Sequence, residues 1–301
     1  MSKYNSFFQL YSAAREELFN VADGAYDARR LLLTTFDVSV NELLLHFMDP
    51  FTDEQQEKAD RYWELLQLRK THIPLQYITG EQSFYGMELK VNEDVLIPRQ
   101  DTEILVEKIL NDTASNGADA AQLNMKEWIE QVGRLRVLDM CTGSGCIAIA
   151  LKKLGGFGHV FASDISRKAL ELADENARAN GVDILFYESD MFSELGSLKD
   201  LDMIICNPPY IRSDVIDTLQ PEVKDHEPRL ALDGGADGLD FYRIIAAEAP
   251  QHLRKGGKLY LEIGYDQADD VTKLLTDAGF KNIAVEKDLA ELDRVISAVW
   301  E

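Results

Sequence analysis

From residue 134 onward, short apolar segments that predict buried strands alternate with segments that predict helices. The first strands are predicted at residues 136–140, 159–164, 184–187 and 201–206, and later ones at residues 258–263, 282–285 and 294–299. Strands that alternate with helices are typical of a doubly wound parallel sheet. The sequence therefore predicts an α/β fold. Ligands of such folds bind in the crevice beyond the carboxyl ends of the strands.

The N-terminal part of the chain follows a different pattern. Helical periodicity covers residues 4–20, 25–35, 40–48 and 53–70, and Thr52 with Gln55 predicts a capping box before the last of these helices. We interpret residues 1–82 as a helical domain. Residues 83–98 alternate in polarity around residues 92–94, which predicts a hairpin turn there. Residues 83–100 are thus interpreted as a β-hairpin linker and residues 101–301 as the α/β domain, with an exposed connection at residues 111–122.

A turn that contains two glycines follows the first predicted strand, at residues 141–145. Gly143 and Gly145 allow a tight turn and a close approach of a ligand to the backbone. The turn is not the G-x-G-x-x-G motif of dinucleotide-binding folds, and it lacks the Lys-Ser/Thr pair of a phosphate-binding loop. It therefore predicts a ligand site of another kind.

Acidic residues lie at the end of the second predicted strand and just beyond the third. Asp164 could bind the two hydroxyls of a ribose, while Asp190 could accept a hydrogen bond from an adenine amine and Met191 could cover the ring. A single acidic residue at such a position is more often a helix N-cap than a ligand. Its recurrence at successive strand ends favours a site for a nucleoside.

The predicted strand at residues 201–206 ends in Asn207-Pro208-Pro209-Tyr210. Two prolines fix an extended backbone and leave the Pro208 carbonyl free. The carbonyl oxygens of the Asn207 side chain and of Pro208 can accept both hydrogens of a planar NH2 group, while Tyr210 packs against its face. Alone, this tetrapeptide could also be a plain loop after a strand. The neighbouring strand ends favour a binding site.

In this order, the motifs resemble those of class I S-adenosylmethionine-dependent methyltransferases that act on amide or amine nitrogen. More narrowly, they are similar to the HemK/PrmC family of release factor glutamine methyltransferases. The chain departs from the family pattern at Gln100, where proline is usual, and at Cys141, where glycine is frequent. Further matches lie at residues 74–80, 84–86, 96–99, 101–103, 227–232, 234–235 and 237–239.

The resemblance implies a seven-stranded sheet with an antiparallel edge pair, S-adenosylmethionine as cofactor, and a bacterial-type peptide chain release factor as protein substrate. The acceptor would be the glutamine of its Gly-Gly-Gln loop, and the helical domain would dock the factor. Asn207, Pro208 and Tyr210 would be catalytic, and these three with Pro209 would bind the acceptor. The implied cofactor-binding residues are Cys141, Thr142, Gly143, Ser144, Gly145, Asp164, Asp190, Met191 and Asn207.

The net charge bears on the substrate. With 31 Lys and Arg against 53 Asp and Glu, the chain carries a charge of −22. Nucleic-acid binders usually present basic surfaces, so this charge disfavours direct binding of DNA or RNA and suits a basic protein partner. The basic residues among residues 61–72 could form a local patch, although charges on an amphipathic helix are more often a solvated face.

Three alternatives stay open. A glutamine methyltransferase of a ribosomal protein would share the same pocket. An adenine amine methyltransferase of DNA or RNA uses a similar tetrapeptide, but it would need a basic target-recognition region. A non-enzymatic S-adenosylmethionine-binding protein would not need the intact tetrapeptide.

Composition and segment patterns suggest an intracellular location. The three cysteines lack metal-type spacing and histidine partners, so we expect core residues and no metal site. No apolar run approaches the length of a membrane span, and the first residues lack the apolar core of a signal peptide. The sequence thus predicts a soluble, cytoplasmic enzyme without a membrane partner.

Overall fold

The computed structural model describes residues 4–115 and 130–301. These residues form two compact units. The first contains the described residues before Gln82 together with Gln220–His226, and the second contains the described residues of Gln82–Leu219 and Glu227–Glu301. One hydrophobic cluster fills the first unit and two fill the second.

Helices form the first unit, as predicted. Ser39 with Glu42 and Thr52 with Gln55 both make capping boxes, so the one predicted at Thr52 is confirmed. A single helical turn at Pro221–Lys224 belongs to the same unit. The main helices are α1 (Phe7–Glu17), α2 (Gly24–Phe36), α3 (Val40–Leu45), α4 (Asp53–Lys70) and α5 (Leu75–Thr79).

Arg69, on α4, is a buried cation of this unit, with a side chain that is only 5% exposed. Its Nε donates to Asp27 Oδ2 at 2.6 Å, and its Nη2 donates to Glu222 Oε1 at 3.0 Å. Burial raises the pKa of Asp27, and the hydrogen bond and positive charge of Arg69 oppose that rise. A charge buried in this way must keep its partners, because an unpaired buried ion is costly.

Carboxylates offset the basic residues at positions 61–72. Each of the four has a carboxylate oxygen within 3.2 Å. This segment therefore presents no unopposed positive patch. The pairs are Arg61 with Glu64, Arg69 with Asp27 and Glu222, Lys70 with Glu17, and His72 with Glu222.

A two-stranded hairpin is formed by β1 (Glu81–Phe84) and β2 (Met87–Lys90). Its turn residues, Tyr85 and Gly86, have φ angles of 50° and 73°, as the favoured two-residue hairpin turn requires. The hairpin is present, but our placement of its turn at residues 92–94 is wrong. There, Asn92 Oδ1 accepts from the Asp94 N–H at 3.0 Å, which makes a local Asx turn. The sequence misleads because tyrosine rarely adopts positive φ.

The second unit is built on one seven-stranded sheet, which confirms the predicted α/β class. The strand order is β5-β4-β3-β6-β7-β9-β8. The pairs from β5 through β7 are parallel, whereas β9 runs antiparallel to both β7 and β8, as the resemblance implies. The strands are β3 (Arg136–Met140), β4 (His159–Asp164), β5 (Leu185–Glu188), β6 (Leu201–Cys206), β7 (Leu253–Glu262), β8 (Lys281–Lys287) and β9 (Asp293–Val299).

Helices cover both faces of this sheet. Successive residues of β3, β6 and β7 alternate between two apolar clusters, because neighbouring side chains of a strand point to opposite faces. None of the helices in the described part of the chain is long and apolar enough to cross a membrane. The helices are α6 (Gln100–Ser115), α7 (Cys146–Gly155), α8 (Arg167–Ala179), α9 (Asp240–Glu248) and α10 (Ala268–Asp277).

The exposed connection predicted at residues 111–122 is wrong over residues 111–115, which form the end of α6. Two polar side chains there support the helix rather than break it. Thr113 Oγ1 donates to the Ile109 carbonyl at 2.7 Å, and Asp112 Oδ1 accepts from Lys108 Nζ at 3.0 Å. The remainder of that predicted connection lies outside the described residues.

Arg69→Ala should lower the free energy of unfolding by about 3 kcal/mol, because Asp27 and Glu222 lose a buried partner. Arg61→Ala is the matched control on the same helix. Its exposed pair with Glu64 should contribute less than about 1 kcal/mol. Urea denaturation followed by circular dichroism measures both. Equal losses in the two variants would contradict a special role for the buried pair.

Candidate active site

The parallel register of β3 brings three strand ends together. Its last residue, Met140, is paired with Ser163 of β4 and with Cys206 of β6. The chain proceeds from β3 through β4 to β5 on one side, and β6 then returns to the other side of β3. Such a reversal opens a crevice at the carboxyl ends of the strands.

A cavity of about 390 Å³ lies in this crevice, within the range of pockets that hold small molecules. Most of the site residues predicted from the sequence line it. Gly145, Pro208 and Tyr210 lie beside it and are not among its lining residues. The predicted residues on its wall are Cys141, Thr142, Gly143, Ser144, Asp164, Asp190, Met191, Asn207 and Pro209.

Asp139 anchors the glycine-containing turn from below. Its Oδ2 accepts from Thr142 Oγ1 at 2.6 Å and from the Ala148 N–H at 3.2 Å. Its Oδ1 is buried and has no partner among the described residues. Burial raises the pKa of Asp139 to about 7, although the two hydrogen bonds oppose this rise.

The turn places backbone N–H groups at the start of α7. Gly145, the N-cap residue of α7, has a φ of 82°, and a Cβ there would lie 3.1 Å from the Ala173 Cβ. Asn176, also on α8, donates from Nδ2 to the Ser144 carbonyl at 2.9 Å. The turn is therefore held against α8, and the first two residues of α7, Cys146 and Ile147, line the cavity.

Cys141 adopts a left-handed conformation, with a φ of 55°. An L-residue pays about 1–2 kcal/mol for this backbone shape, whereas glycine adopts it freely. This explains why glycine is frequent at the corresponding position of the resembling family. The Cys141 Sγ lies 4.0 Å from the Met191 Sδ, so the two sulfur atoms form an adjoining, polarisable part of the cavity wall.

Asp164 already holds two backbone groups. Its Oδ2 accepts from the Gly143 N–H and its Oδ1 from the Ser166 N–H, both at 2.9 Å. Burial raises its pKa, and these hydrogen bonds oppose the rise. Each carboxylate oxygen has a second lone pair. The predicted contacts with ribose hydroxyls are thus compatible with the geometry and remain a prediction.

The Asn207 side chain is part of a hydrogen-bonded chain that starts at the cavity. Asn207 Nδ2 donates to Thr102 Oγ1 at 3.3 Å, and Thr102 Oγ1 donates to Glu262 Oε2 at 2.7 Å. The Tyr210 hydroxyl donates to Glu262 Oε1 at 3.2 Å. Within residues 4–115 and 130–301, no hydrogen bond engages Asn207 Oδ1 or the Pro208 carbonyl oxygen.

The backbone of the tetrapeptide is fixed from behind. Gln267 Nε2 donates to the Tyr210 carbonyl at 3.0 Å. Gly234 packs so closely that a Cβ would lie 2.7 Å from the Tyr210 Cα and 2.8 Å from the Pro209 carbonyl oxygen. Any larger residue at position 234 would therefore displace the tetrapeptide.

An ion pair joins two further segments of the cavity wall. Arg99 Nη2 lies 2.6 Å from Glu227 Oε2, and the Glu227 side chain is only 1% exposed. Burial raises the pKa of Glu227, and the positive charge of Arg99 opposes this rise. Gln100, next to Arg99, is the first residue of α6, a position where proline also fits. The chain therefore keeps the helix start without the family's usual proline.

Several residues that shape the site are not among those predicted from the sequence. They are Thr102, Asn176, Glu262 and Gln267. Glu262 had a usable signal, since it ends an apolar strand just as Asp164 does. Thr102 and Gln267 carry no comparable signal, because their partners lie 160 and 57 residues away in sequence. The three cysteines are unpaired. No cluster of metal-ligating side chains occurs among the described residues.

Comparison with known protein families gives two matches. Residues 9–80 match the model of the PrmC N-terminal domain, and residues 114–235 match that of the methyltransferase small domain. The release factor glutamine methyltransferase of Thermodesulfovibrio yellowstonii is 40% identical over 86% of this chain and 87% of its own. That of Agrobacterium fabrum is 37% identical over 95% of this chain and 94% of its own.

A solved structure shares the fold. The catalytic domain of hMettl16, determined in complex with a MAT2A 3'UTR hairpin, superimposes with a TM-score of 0.50 over 81% of this chain and 82% of that chain. The two sequences are 13% identical, so the likeness concerns the fold alone.

The pKa of Asp139 predicts a pH-dependent stability. Because its pKa is about 7 in the folded protein against an ordinary 3.8, the folded state binds more protons than the unfolded chain between these values. Stability relative to the non-titrating variant Asp139→Asn should therefore fall as the pH rises from about 4 to about 7, by at most about 1.4 kcal/mol per pH unit, and then level off.

Urea denaturation of both proteins across this pH range measures the difference. The matched control is Asp183→Asn, since the Asp183 side chain is 98% exposed and should give almost no slope. A stability difference between wild type and Asp139→Asn that does not change with pH would contradict the raised pKa.

Proposed function

The chain belongs to the release factor glutamine methyltransferase family, and we propose that it methylates the side-chain amide nitrogen of the glutamine in the Gly-Gly-Gln loop of peptide chain release factors. The methyl donor is S-adenosylmethionine. The observation that carries this proposal is the position of Asn207 on the cavity wall, where its side-chain oxygen has no partner among the described residues. The carbonyl oxygen of Pro208, the next residue, also accepts no hydrogen bond from the described residues.

The residues of the cavity suit S-adenosylmethionine. Asp164 has lone pairs left for ribose hydroxyls, and Met191 with Cys141 offers a polarisable surface for a purine. The backbone N–H groups at the start of α7 suit a carboxylate. When bound, S-adenosylmethionine supplies a methyl group activated by a positively charged sulfur.

Asn207 and Pro208 act on the acceptor amide. The lone pair of an amide nitrogen is delocalised into its carbonyl, which makes the nitrogen a weak nucleophile. By accepting both N–H hydrogens, Asn207 Oδ1 and the Pro208 carbonyl oxygen fix the direction of the nitrogen and increase its electron density. The nitrogen becomes acidic once it has gained the methyl group and releases a proton to solvent. No strong base is needed before transfer.

The charges of the first unit favour a protein acceptor over nucleic acid. Its basic residues at positions 61–72 are paired with carboxylates, and the whole chain carries −22. A phosphate backbone would meet little positive charge there. A glutamine of a ribosomal protein would suit the same cavity. An assay that offers both substrates distinguishes it from the glutamine of a release factor.

Incubation with labelled S-adenosylmethionine, a release factor, ribosomal proteins and bulk nucleic acid tests the proposal. Mass spectrometry should locate the label on the glutamine of the Gly-Gly-Gln loop. Label on a ribosomal protein or on nucleic acid would overturn the proposed acceptor, and absence of label everywhere would overturn methyl transfer itself.

Asn207→Ala should lower the rate of methyl transfer by roughly two to three orders of magnitude, because one preorganised acceptor at the reacting nitrogen is lost. The measurement is single-turnover transfer to a release factor with S-adenosylmethionine saturating. Calorimetry on the same variant separates this loss from a loss of cofactor affinity. A near-normal single-turnover rate would reduce Asn207 to a structural residue at a strand end.

The first unit also offers a surface for the release factor. Leu44, Leu45 and Met48 are 65%, 76% and 69% exposed, and Phe8, at 44%, packs against Phe47 beside them. We call Phe8, Leu44, Leu45 and Met48 the apolar patch. Exposed apolar patches of this kind commonly bind proteins. The net charge of −22 suits a partner with basic residues around an apolar contact.

Combined Leu45→Ser and Met48→Ser substitutions should raise the KM for an intact release factor about tenfold, as expected when apolar anchors of an interface are removed. Methylation of a short glutamine peptide and S-adenosylmethionine affinity should not change. Leu289→Ser is the control, because Leu289 is 100% exposed and lies in the second unit. Unchanged KM in the patch variant, or an equal rise for the peptide, would contradict docking at this patch.

A further inference from the structure

The Asn207 side-chain amide can direct either its oxygen or its NH2 group towards the cavity. A rotation of 180° about its last bond exchanges the oxygen and the NH2 group with almost no change of shape. The chemistry distinguishes them, since only the oxygen can accept a hydrogen from an acceptor amide. The inference below rests on the proposed function, because it concerns how that same site selects its acceptor.

Thr102 determines which of these two groups is directed towards the cavity. Its hydroxyl has one hydrogen, and its oxygen lies 2.7 Å from Glu262 Oε2. A carboxylate can only accept, so the Thr102 hydrogen is committed to Glu262. The lone pairs of the hydroxyl are then left for Asn207, 3.3 Å away. Asn207 must therefore direct its NH2 group towards Thr102 and its oxygen towards the cavity.

Glu262 lies at the end of two hydrogen-bonded connections from the tetrapeptide. One runs from Asn207 through Thr102, and the other comes directly from Tyr210. The second oxygen of Glu262 accepts from the Tyr210 hydroxyl at 3.2 Å, and the residue is only 2% exposed. Burial raises the pKa of Glu262, while the hydrogen bonds from Thr102 and Tyr210 and the positive charge of Arg294 stabilise its charged form. Thr102 is itself 2% exposed, so water does not compete freely for its hydroxyl.

We propose that Thr102 and Glu262 are positioning residues that make the site select a primary amide over a carboxylate, by holding the Asn207 oxygen towards the acceptor. An amide acceptor donates its hydrogens to that oxygen. A glutamate at the same place would bring a negative oxygen against another oxygen. With the Asn207 amide rotated, its NH2 group would face the acceptor and favour the carboxylate instead.

The test compares two forms of one release factor. The natural form, with glutamine in the Gly-Gly-Gln loop, serves as substrate, and a form with glutamate at that position serves as competitive inhibitor. The ratio of the inhibition constant of the glutamate form to the KM of the glutamine form measures discrimination. Thr102→Val keeps the side-chain volume but removes the hydroxyl, and Thr102→Ser restores a hydroxyl.

Thr102→Val should lower kcat roughly ten- to hundredfold and reduce the discrimination ratio about tenfold, with a much smaller change in S-adenosylmethionine affinity by calorimetry. Thr102→Ser should recover most of both losses. If the valine variant does not bind S-adenosylmethionine, Thr102→Ala replaces it with the same expectations. Glu262→Gln, which can donate as well as accept, should also reduce discrimination.

An unchanged discrimination ratio in an otherwise slow Thr102→Val enzyme would overturn the inference, because a merely structural defect weakens both forms alike. Failure of Thr102→Ser to recover discrimination would overturn it as well. Both outcomes require that the wild-type enzyme methylates the release factor in the same assay. A wild-type enzyme that fails to do so contradicts the proposed function instead.

Discussion

The register of β3 is the constraint on which the site depends. Because Met140 is paired with Ser163 on one side and with Cys206 on the other, the turns that follow three strands begin at the same level of the sheet. A slip of one residue would exchange the two faces of a strand. It would turn Asp139 away from the turn that it anchors. The apolar clusters on both faces of the sheet, which fix this register, thus also set the geometry of the crevice.

Three strand ends carry carboxylates, of which Asp139 and Glu262 are buried and Asp164 is half-buried, and each has a different set of hydrogen-bond donors. Asp139 holds a hydroxyl and a backbone N–H, Asp164 holds two backbone N–H groups, and Glu262 holds two hydroxyls. Burial disfavours all three charges, and these donors compensate in part. The free-energy cost of burying these charges therefore falls at the strand ends, where the site needs fixed polar groups. We interpret this as stability given up for a preorganised site.

The sequence predicted those parts of the fold that arise from local patterns. Alternating strands and helices, the capping box at Thr52 and the polar strand ends all depend on residues close together in the chain. The hairpin turn was misplaced because Tyr85 takes a positive φ without any local signal. The contact of Asn207 with Thr102 spans 105 residues, and only the assembled sheet brings the two together. Local patterns therefore predicted most residues that line the cavity, while the side chains that hold them required the tertiary structure.

The number of hydrogens on the substrate nitrogen explains why the orientation of the Asn207 side chain matters for methyl transfer. In the proposed function, Asn207 Oδ1 and the Pro208 carbonyl oxygen accept two hydrogen bonds, and a primary amide supplies two hydrogens. An ammonium group would bring three hydrogens and a positive charge, and it would have to lose a proton before its nitrogen could attack. A carboxylate would bring none. The two oxygens therefore match the two hydrogens of a neutral amide, provided that the Asn207 oxygen is directed towards the substrate amide. Residues that need not touch the acceptor, Thr102 and Glu262, supply that condition, because a hydroxyl that has donated to a carboxylate can only accept from Asn207.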